Sequence, residues 1–186
     1  MIKFVTSNEH KYNELKKIFL EHQIEIKWVR MKYEEIQGYT TDEISLDSCK
    51  KLQSLIDGTF FMEDTGLYID ALNGFPGPYS SYVSSTIGNR GILSLLDANR
   101  RAHFQTVISL SHDMEIFQFS ASVHGSISTD ERGKGGFGFD PIFIPDDEGI
   151  TLAEMGNERK NLISHRKKAA EKLIHFINER NVLNNE

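Results

Sequence analysis

The first 64 residues alternate between short apolar runs and segments of helical periodicity. Ile2-Lys3-Phe4-Val5 reads as a strand, and Asn8 then stands as the N-cap of a helix whose Leu15, Ile18 and Phe19 share one face. A second β-rich run, Ile24–Arg30, leads through a polar loop to Thr40 and Glu43, which have capping-box spacing. Ile44, Leu52, Leu55 and Ile56 supply the apolar stripe of the helix that follows, and Gly58 closes it. The run TFFMED, Thr59–Asp64, is a compact apolar strand that ends on two acids. An order of β-α-β-α-β places the chain in the α/β class.

Farther on, AHFQTVISLSHDMEIFQFSASVHGSIS holds two long β-rich runs joined by a polar turn near His112-Asp113, the pattern of a long antiparallel hairpin. Leu162, Ala169, Leu173, Phe176 and Ile177 predict a closing helix from Asn161 to about Arg180. A chain of 186 residues suits one domain or two closely packed lobes. The formal net charge of −6 gives no global basic field and disfavours nucleic acid, so an anionic small molecule requires positive charge gathered locally. Cys49 is the only cysteine, which excludes an internal disulfide and a Cys-rich zinc site and fits a reducing cytoplasm. The N-terminus lacks a long apolar stretch, and no run approaches the ~20 apolar residues of a membrane span, so a soluble, unprocessed protein is expected.

Three stretches have chemical potential. In TSNEHK, Thr6–Lys11, a turn leads into a helix N-terminus with a lysine one turn in; this is either an anion site or a capped turn with a solvated lysine. EDTG, Glu63–Gly66, puts two carboxylates at a strand end beside a glycine turn, as metal ligands, as a general base or as turn acids. Glu35, in the loop before Gly38, is either a further oxygen donor or an ordinary surface glutamate. ERKNLISHR, Glu158–Arg166, gathers Lys160, His165 and Arg166 near a helix start, where cations oppose the helix dipole unless an anion or a carbonyl-rich ligand offsets them; a basic helix surface is the alternative. Neither H-E-x-x-H nor G-x-S-x-G occurs, which argues against a zinc hydrolase or a serine nucleophile; the serines of YSSYVSST read as loop polar groups. Gly133, Gly135 and Gly138 of GKGGFGFDP satisfy G-x-G-x-x-G, but Phe139–Pro145 reads as extended chain rather than the helix a phosphate-cradling loop needs.

The blocks VTSNEHKYNEL, MEDTGLYIDALNGFPGPYSS, GFGFDPIFIP and EMGNERKNLISHRKKA, in this order, closely resemble the inosine triphosphate pyrophosphatase family, the house-cleaning purine nucleoside triphosphate hydrolases, from Phe4 to about Ala169. The resemblance implies one pyrophosphatase domain over residues 1–186, with a two-lobed α/β fold, a central mixed sheet flanked by helices and a substrate cleft between the lobes. It also implies a cytoplasmic homodimer that uses Mg²⁺ to hydrolyse ITP, dITP and XTP to the monophosphate and pyrophosphate. By position, Thr6, Ser7, Asn8, Glu9, His10 and Lys11 match the triphosphate-binding loop, Glu35 a metal ligand, and Asp64 the acid that binds metal and accepts a proton, with Thr65 beside it on the substrate. Phe137, Gly138, Phe139 and Asp140 match the nucleoside-binding segment, where the glycines let the loop pass close to the base. Lys160, His165 and Arg166 match side chains around the base, donors suited to a 6-keto purine.

Three positions depart from the family pattern, and one of them, Arg159 in place of the usual acidic or lysine neighbour, bears little on the assignment. Ser48 stands where relatives often carry a phosphate-facing lysine, with Lys50 and Lys51 just beyond, and Phe139 stands where many have Trp or Tyr. Two rival readings share the motifs: a pyrophosphatase for another modified nucleotide, and a nucleotide-binding regulator without catalysis. The second is raised by Ser48 and opposed by the intact set of Lys11, Glu35 and Asp64.

Overall fold

The structure is a computed structural model that describes residues 1–182, apart from the side chains at 157, 158 and 161. In chain order its elements are β1 (Ile2–Val5), α1 (Glu9–Glu21), β2 (Ile26–Val29), α2 (Thr41–Leu52), β3 (Phe60–Ile69), β4 (Pro76–Gly77), α3 (Ser80–Thr86), α4 (Gly88–Ser94), β5 (Arg101–His112), β6 (Glu115–Ile127), β7 (Phe143–Pro145), α5 (Asn157–Ile163) and α6 (His165–Arg180). The strand order is β2-β1-β3-β5-β6-β7, with β4 paired to β3. β1 runs parallel to β2 and β3, whereas β4 is antiparallel to β3 and β7 to β6, so the sheet is mixed as expected.

The chain divides into two compact units: Met1–Asp64, Thr106–Ala121 and Arg166 onward form the first, and Thr65–Gln105 with Ser122–His165 the second. In the first unit, strand alternation sorts side chains to opposite faces. Ile2, Phe4 and Phe61 pack with Leu15, Ile18 and Phe19 of α1 and Ala169, Leu173 and Ile177 of α6. Val5, Phe60 and Met62 pack with Cys49 and Leu52 of α2. Phe61 stacks on Phe4 at 4.7 Å and on Phe19 at 5.2 Å, which fixes α1 against the sheet. The second unit has its own core of Leu67, Ile69, Val83, Ile92, Phe104, Phe139 and Phe143, among others. Among the described residues no helix is long and apolar enough to cross a membrane.

The hairpin forms where the sequence places it, with Asp113 and Met114 both at positive φ, as the right-handed strand twist favours. Thr40 Oγ1 caps α2 by accepting from the Glu43 amide, while the Glu43 carboxylate accepts from Tyr39 rather than from Thr40. Other expectations need correction. α2 ends at Leu52, so Leu55 and Ile56 lie beyond it. β3 continues through EDTG to Ile69: Gly66 sits within the strand, where a Cβ would crowd the Gly77 backbone of β4, and its glycine serves close strand approach rather than a turn. YSSYVSST is mostly helical, as α3, and the buried Ser80 hydroxyl accepts from the Leu67 amide and donates to the Gly77 carbonyl. A single 3-10 turn, Asp140–Ile142, precedes β7. The closing helix is two helices, because Ser164 is extended at φ −60 and ψ 131.

Cys49 is fully buried, and burial pushes its thiol up to about 12. At pH 8 the reactive thiolate is then on the order of one part in ten thousand, so aromatic disulfide reagents should label the native chain negligibly and the urea-unfolded chain fully. Rapid labelling of the native chain would show that α2 does not pack as described.

Candidate active site

The Thr6–Lys11 turn is held by its own polar atoms. Thr6 Oγ1 accepts from the Asn8 amide, Asn8 Oδ1 accepts from the Lys11 amide as the N-cap of α1, and Trp28 Nε1 donates to the Thr6 carbonyl. Tyr12 stacks on Trp28 at 4.5 Å and braces the first turn of the helix. Ser7, Glu9 and His10 lie exposed along the turn. Lys11 is not a solvated lysine: its ammonium donates to the Glu63 carbonyl at 3.3 Å and lies 3.2 Å from the Glu63 carboxylate.

Glu63 is only 3% exposed, yet it is surrounded by donors. Besides Lys11, Thr106 Oγ1 and Arg166 Nη2 each reach its Oε1 at 3.4 Å. Arg166, at the first turn of α6, also donates through Nη1 to Glu14. Burial pulls the Arg166 guanidinium down, and the charges of Glu63 and Glu14 more than offset it, so it stays protonated.

Pleating places Asp64, 9% exposed, on the opposite face of β3 from Glu63, alongside Phe60 and Met62. Tyr33 packs against that face. Its phenol is pushed well above its ordinary value by burial and then by the negative charge of Glu35, Asp64 and Glu63 in that order. Glu35 and Asp64 thus bear on one phenol. Among the described residues no group of three or more His, Cys, Asp or Glu could hold a metal ion. Two carboxylates nevertheless suit Mg²⁺, which commonly takes one or two from the protein and completes its shell with water and substrate phosphates. On α2, Ser48 is buried and its hydroxyl has no hydrogen-bond partner among the described residues. Lys51 pairs with Asp47 on the same helix at 2.7 Å, and Lys50 is exposed.

In the second unit the glycine-rich loop is organised by Asp140. Its Oδ2 accepts from the Phe137 amide at 2.8 Å and from Lys160 Nζ at 2.9 Å. The Lys160 ammonium also lies 5.4 Å from the Phe137 ring centre. Gly136, at φ +69, presses on the Asp140 carboxylate so closely that any Cβ there would collide with it. Gly138 is exposed, Phe137 half-buried, and Phe139 a core residue rather than an open wall. His165 is buried and stacks on Phe104 at 4.9 Å, and Thr65 is half-buried on β3.

The structure therefore gathers Lys11 and Arg166 on Glu63, brings the charges of Glu35, Asp64 and Glu63 to bear on Tyr33, and joins Phe137, Asp140 and Lys160. Sequence reasoning missed Glu14, Tyr33 and Thr106. Glu14 lies three residues after Lys11 on the same helix face, a spacing that was an available signal, whereas Tyr33 lies two residues before Glu35 in an irregular loop, where spacing signals nothing. Thr106 had none, since only strand pairing brings β5 to Glu63.

Residues 2–176 match the model of the Ham1 family. A dITP/XTP pyrophosphatase of Thermococcus kodakarensis is 47% identical over 178 residues, covering 95% of this chain and 96% of that protein. One from Korarchaeum cryptofilum is 48% identical over 176 residues, covering 94% of each. A solved HAM1 protein from Coxiella burnetii superposes with a TM-score of 0.83 at 29% identity, covering 96% of this chain and all of that one.

The contacts of Glu63 predict a structural cost for its loss. Glu63→Ala leaves the buried Arg166 guanidinium with Glu14 alone and should lower the unfolding free energy by up to about 3–5 kcal/mol in urea titrations followed by circular dichroism. A change below about 1 kcal/mol would mean that the guanidinium is adequately held without it.

Proposed function

The chain belongs to the Ham1 family, and from that premise we propose that it is a pyrophosphatase acting as one domain on the deaminated purine triphosphates dITP, XTP and ITP, releasing the monophosphate and pyrophosphate. The observation that carries the reading is the division between two consecutive acids: Glu63 is neutralised by Lys11 and Arg166, whereas Asp64 stands on the other strand face near Tyr33, whose phenol also feels Glu35. One acid supports the fold and the other is disposed for chemistry.

A triphosphate brings about four negative charges, which the N-terminus of α1, its Thr6–Asn8 turn and Lys11 offset. Mg²⁺, held by Glu35 and Asp64, would draw charge from the phosphate oxygens. Asp64 accepts the proton of the water that attacks the α-phosphorus, and pyrophosphate departs. Thr65, next in the strand, hydrogen-bonds the substrate. Around the base, Phe137 offers a ring face, and Lys160, oriented by Asp140, donates to the 6-keto oxygen with His165. Adenine presents an amino donor there and leaves such donors unpaired, at about 1–3 kcal/mol each. With its guanidinium between Glu63 and Glu14, Arg166 acts chiefly by holding Glu63 in place. The homodimer is part of the same proposal and is checked by light scattering.

Incubation with single triphosphates and Mg²⁺ should yield monophosphate and pyrophosphate from dITP, XTP and ITP; diphosphate and phosphate would overturn the assignment. Asp64→Asn should lower kcat by about 10²–10⁴-fold with an unchanged circular dichroism spectrum. Lys160→Gln should narrow the kcat/KM preference for XTP over ATP by about tenfold, and an unaltered ratio would remove Lys160 from base selection.

A further inference from the structure

Two histidines outside the proposed catalytic set meet on the sheet of the second unit. His103 lies nine residues before the end of β5, and His124 nine residues after the start of β6, so the hairpin sets them opposite one another. Their ring centres are 5.2 Å apart, with the planes inclined by 33°. Tyr68 of β3 stacks on His103 at 5.0 Å and 7°, which limits how that imidazole can turn.

This spacing suits metal chelation. Two imidazoles on one tetrahedral zinc, each with a metal–nitrogen bond of ~2.0–2.1 Å, have ring centres ~5 Å apart. We propose that His103 and His124 form a two-imidazole site for a borderline divalent transition metal, with Zn²⁺ as its representative, separate from the carboxylate ligands proposed for Mg²⁺. Nitrogen donors select Zn²⁺, Ni²⁺ or Cu²⁺ over Mg²⁺, which favours oxygen. Burial, and then the charge of His124, push His103 below its ordinary value, which favours the neutral ring that ligates; Asp70 acts in the opposite sense. Asp146, which feels the charge of His124, is bound by Arg101 at 2.7 Å. His124 is exposed, which leaves room for water to complete the shell. Bound metal would tie β5 to β6 and stabilise the folded chain by linkage, because the unfolded chain does not hold the two rings together.

The test uses the untagged, chelator-treated full chain carrying Asp64→Asn, which weakens competing binding at the catalytic acids. Zn²⁺ titration by calorimetry should give one site per chain, perturb the imidazole resonances of His103 and His124, and raise Tm. His124→Gln, introduced on the same background, should weaken binding by at least about tenfold and abolish the Tm rise. The same substitution in the otherwise wild-type chain should leave Mg²⁺-supported turnover unchanged. Zn²⁺ binding of undiminished affinity in His124→Gln, or no binding by the parent chain at 100-fold excess of Zn²⁺, would overturn the proposal.

Discussion

A strand that carries two adjacent acids into the interior of the first unit must supply each with a reason to be there. A buried carboxylate without partners is too costly to retain. For Glu63 the reason is the set formed by Lys11, Thr106 and Arg166, drawn from α1, β5 and α6. That requirement reaches far along the chain. The first turn of α1 must present Lys11 to β3, which the Asn8 cap and the Tyr12–Trp28 stack secure. α6 must restart after Ser164 so that Arg166 arrives at its first turn, and the break between α5 and α6 becomes intelligible as part of the same arrangement.

The pleat then sets the fate of the second acid. Asp64 is turned to the other face of β3 from Glu63, because a one-residue step reverses the face. It lies instead on the Phe60 and Met62 side, toward the surroundings of Tyr33, where Glu35 also exerts its charge. Adjacent residues of like chemistry thus acquire different tasks from strand geometry alone. Glu63, by contrast, is held by both a lysine and an arginine.

Much of this was legible in the sequence because it is local. Asn8 and Thr40 cap helices by accepting, through their own side chains, from backbone amides three residues on, and the β5–β6 hairpin is announced by two long β-rich runs around a polar turn. Local rules failed where tertiary contact overrode them. Gly66 looks like a turn until Gly77 of β4 lies against it, and YSSYVSST looks like a loop until the buried Ser80 hydroxyl bonds Leu67 and Gly77. The pairing of Arg166 with Glu14 and Glu63 spans 152 and 103 residues of sequence, and no periodicity encodes it. The family motifs marked the residues, but not which carboxylate each cation would meet.

The glycine-rich loop illustrates how a motif can match in letters and differ in physics. A phosphate-cradling loop directs its amides outward at an anion ahead of a helix. Here the Phe137 amide is directed inward at Asp140, an anion that the chain itself supplies, and a short 3-10 turn followed by β7 stands in place of the helix. Gly136 is required because its backbone lies against that carboxylate, and Lys160 reaches the same oxygen while passing near the Phe137 ring. An amide turned inward on an internal carboxylate is poorly disposed to cradle a triphosphate, and the shared carboxylate instead holds the Phe137 backbone and the Lys160 ammonium in a set relation.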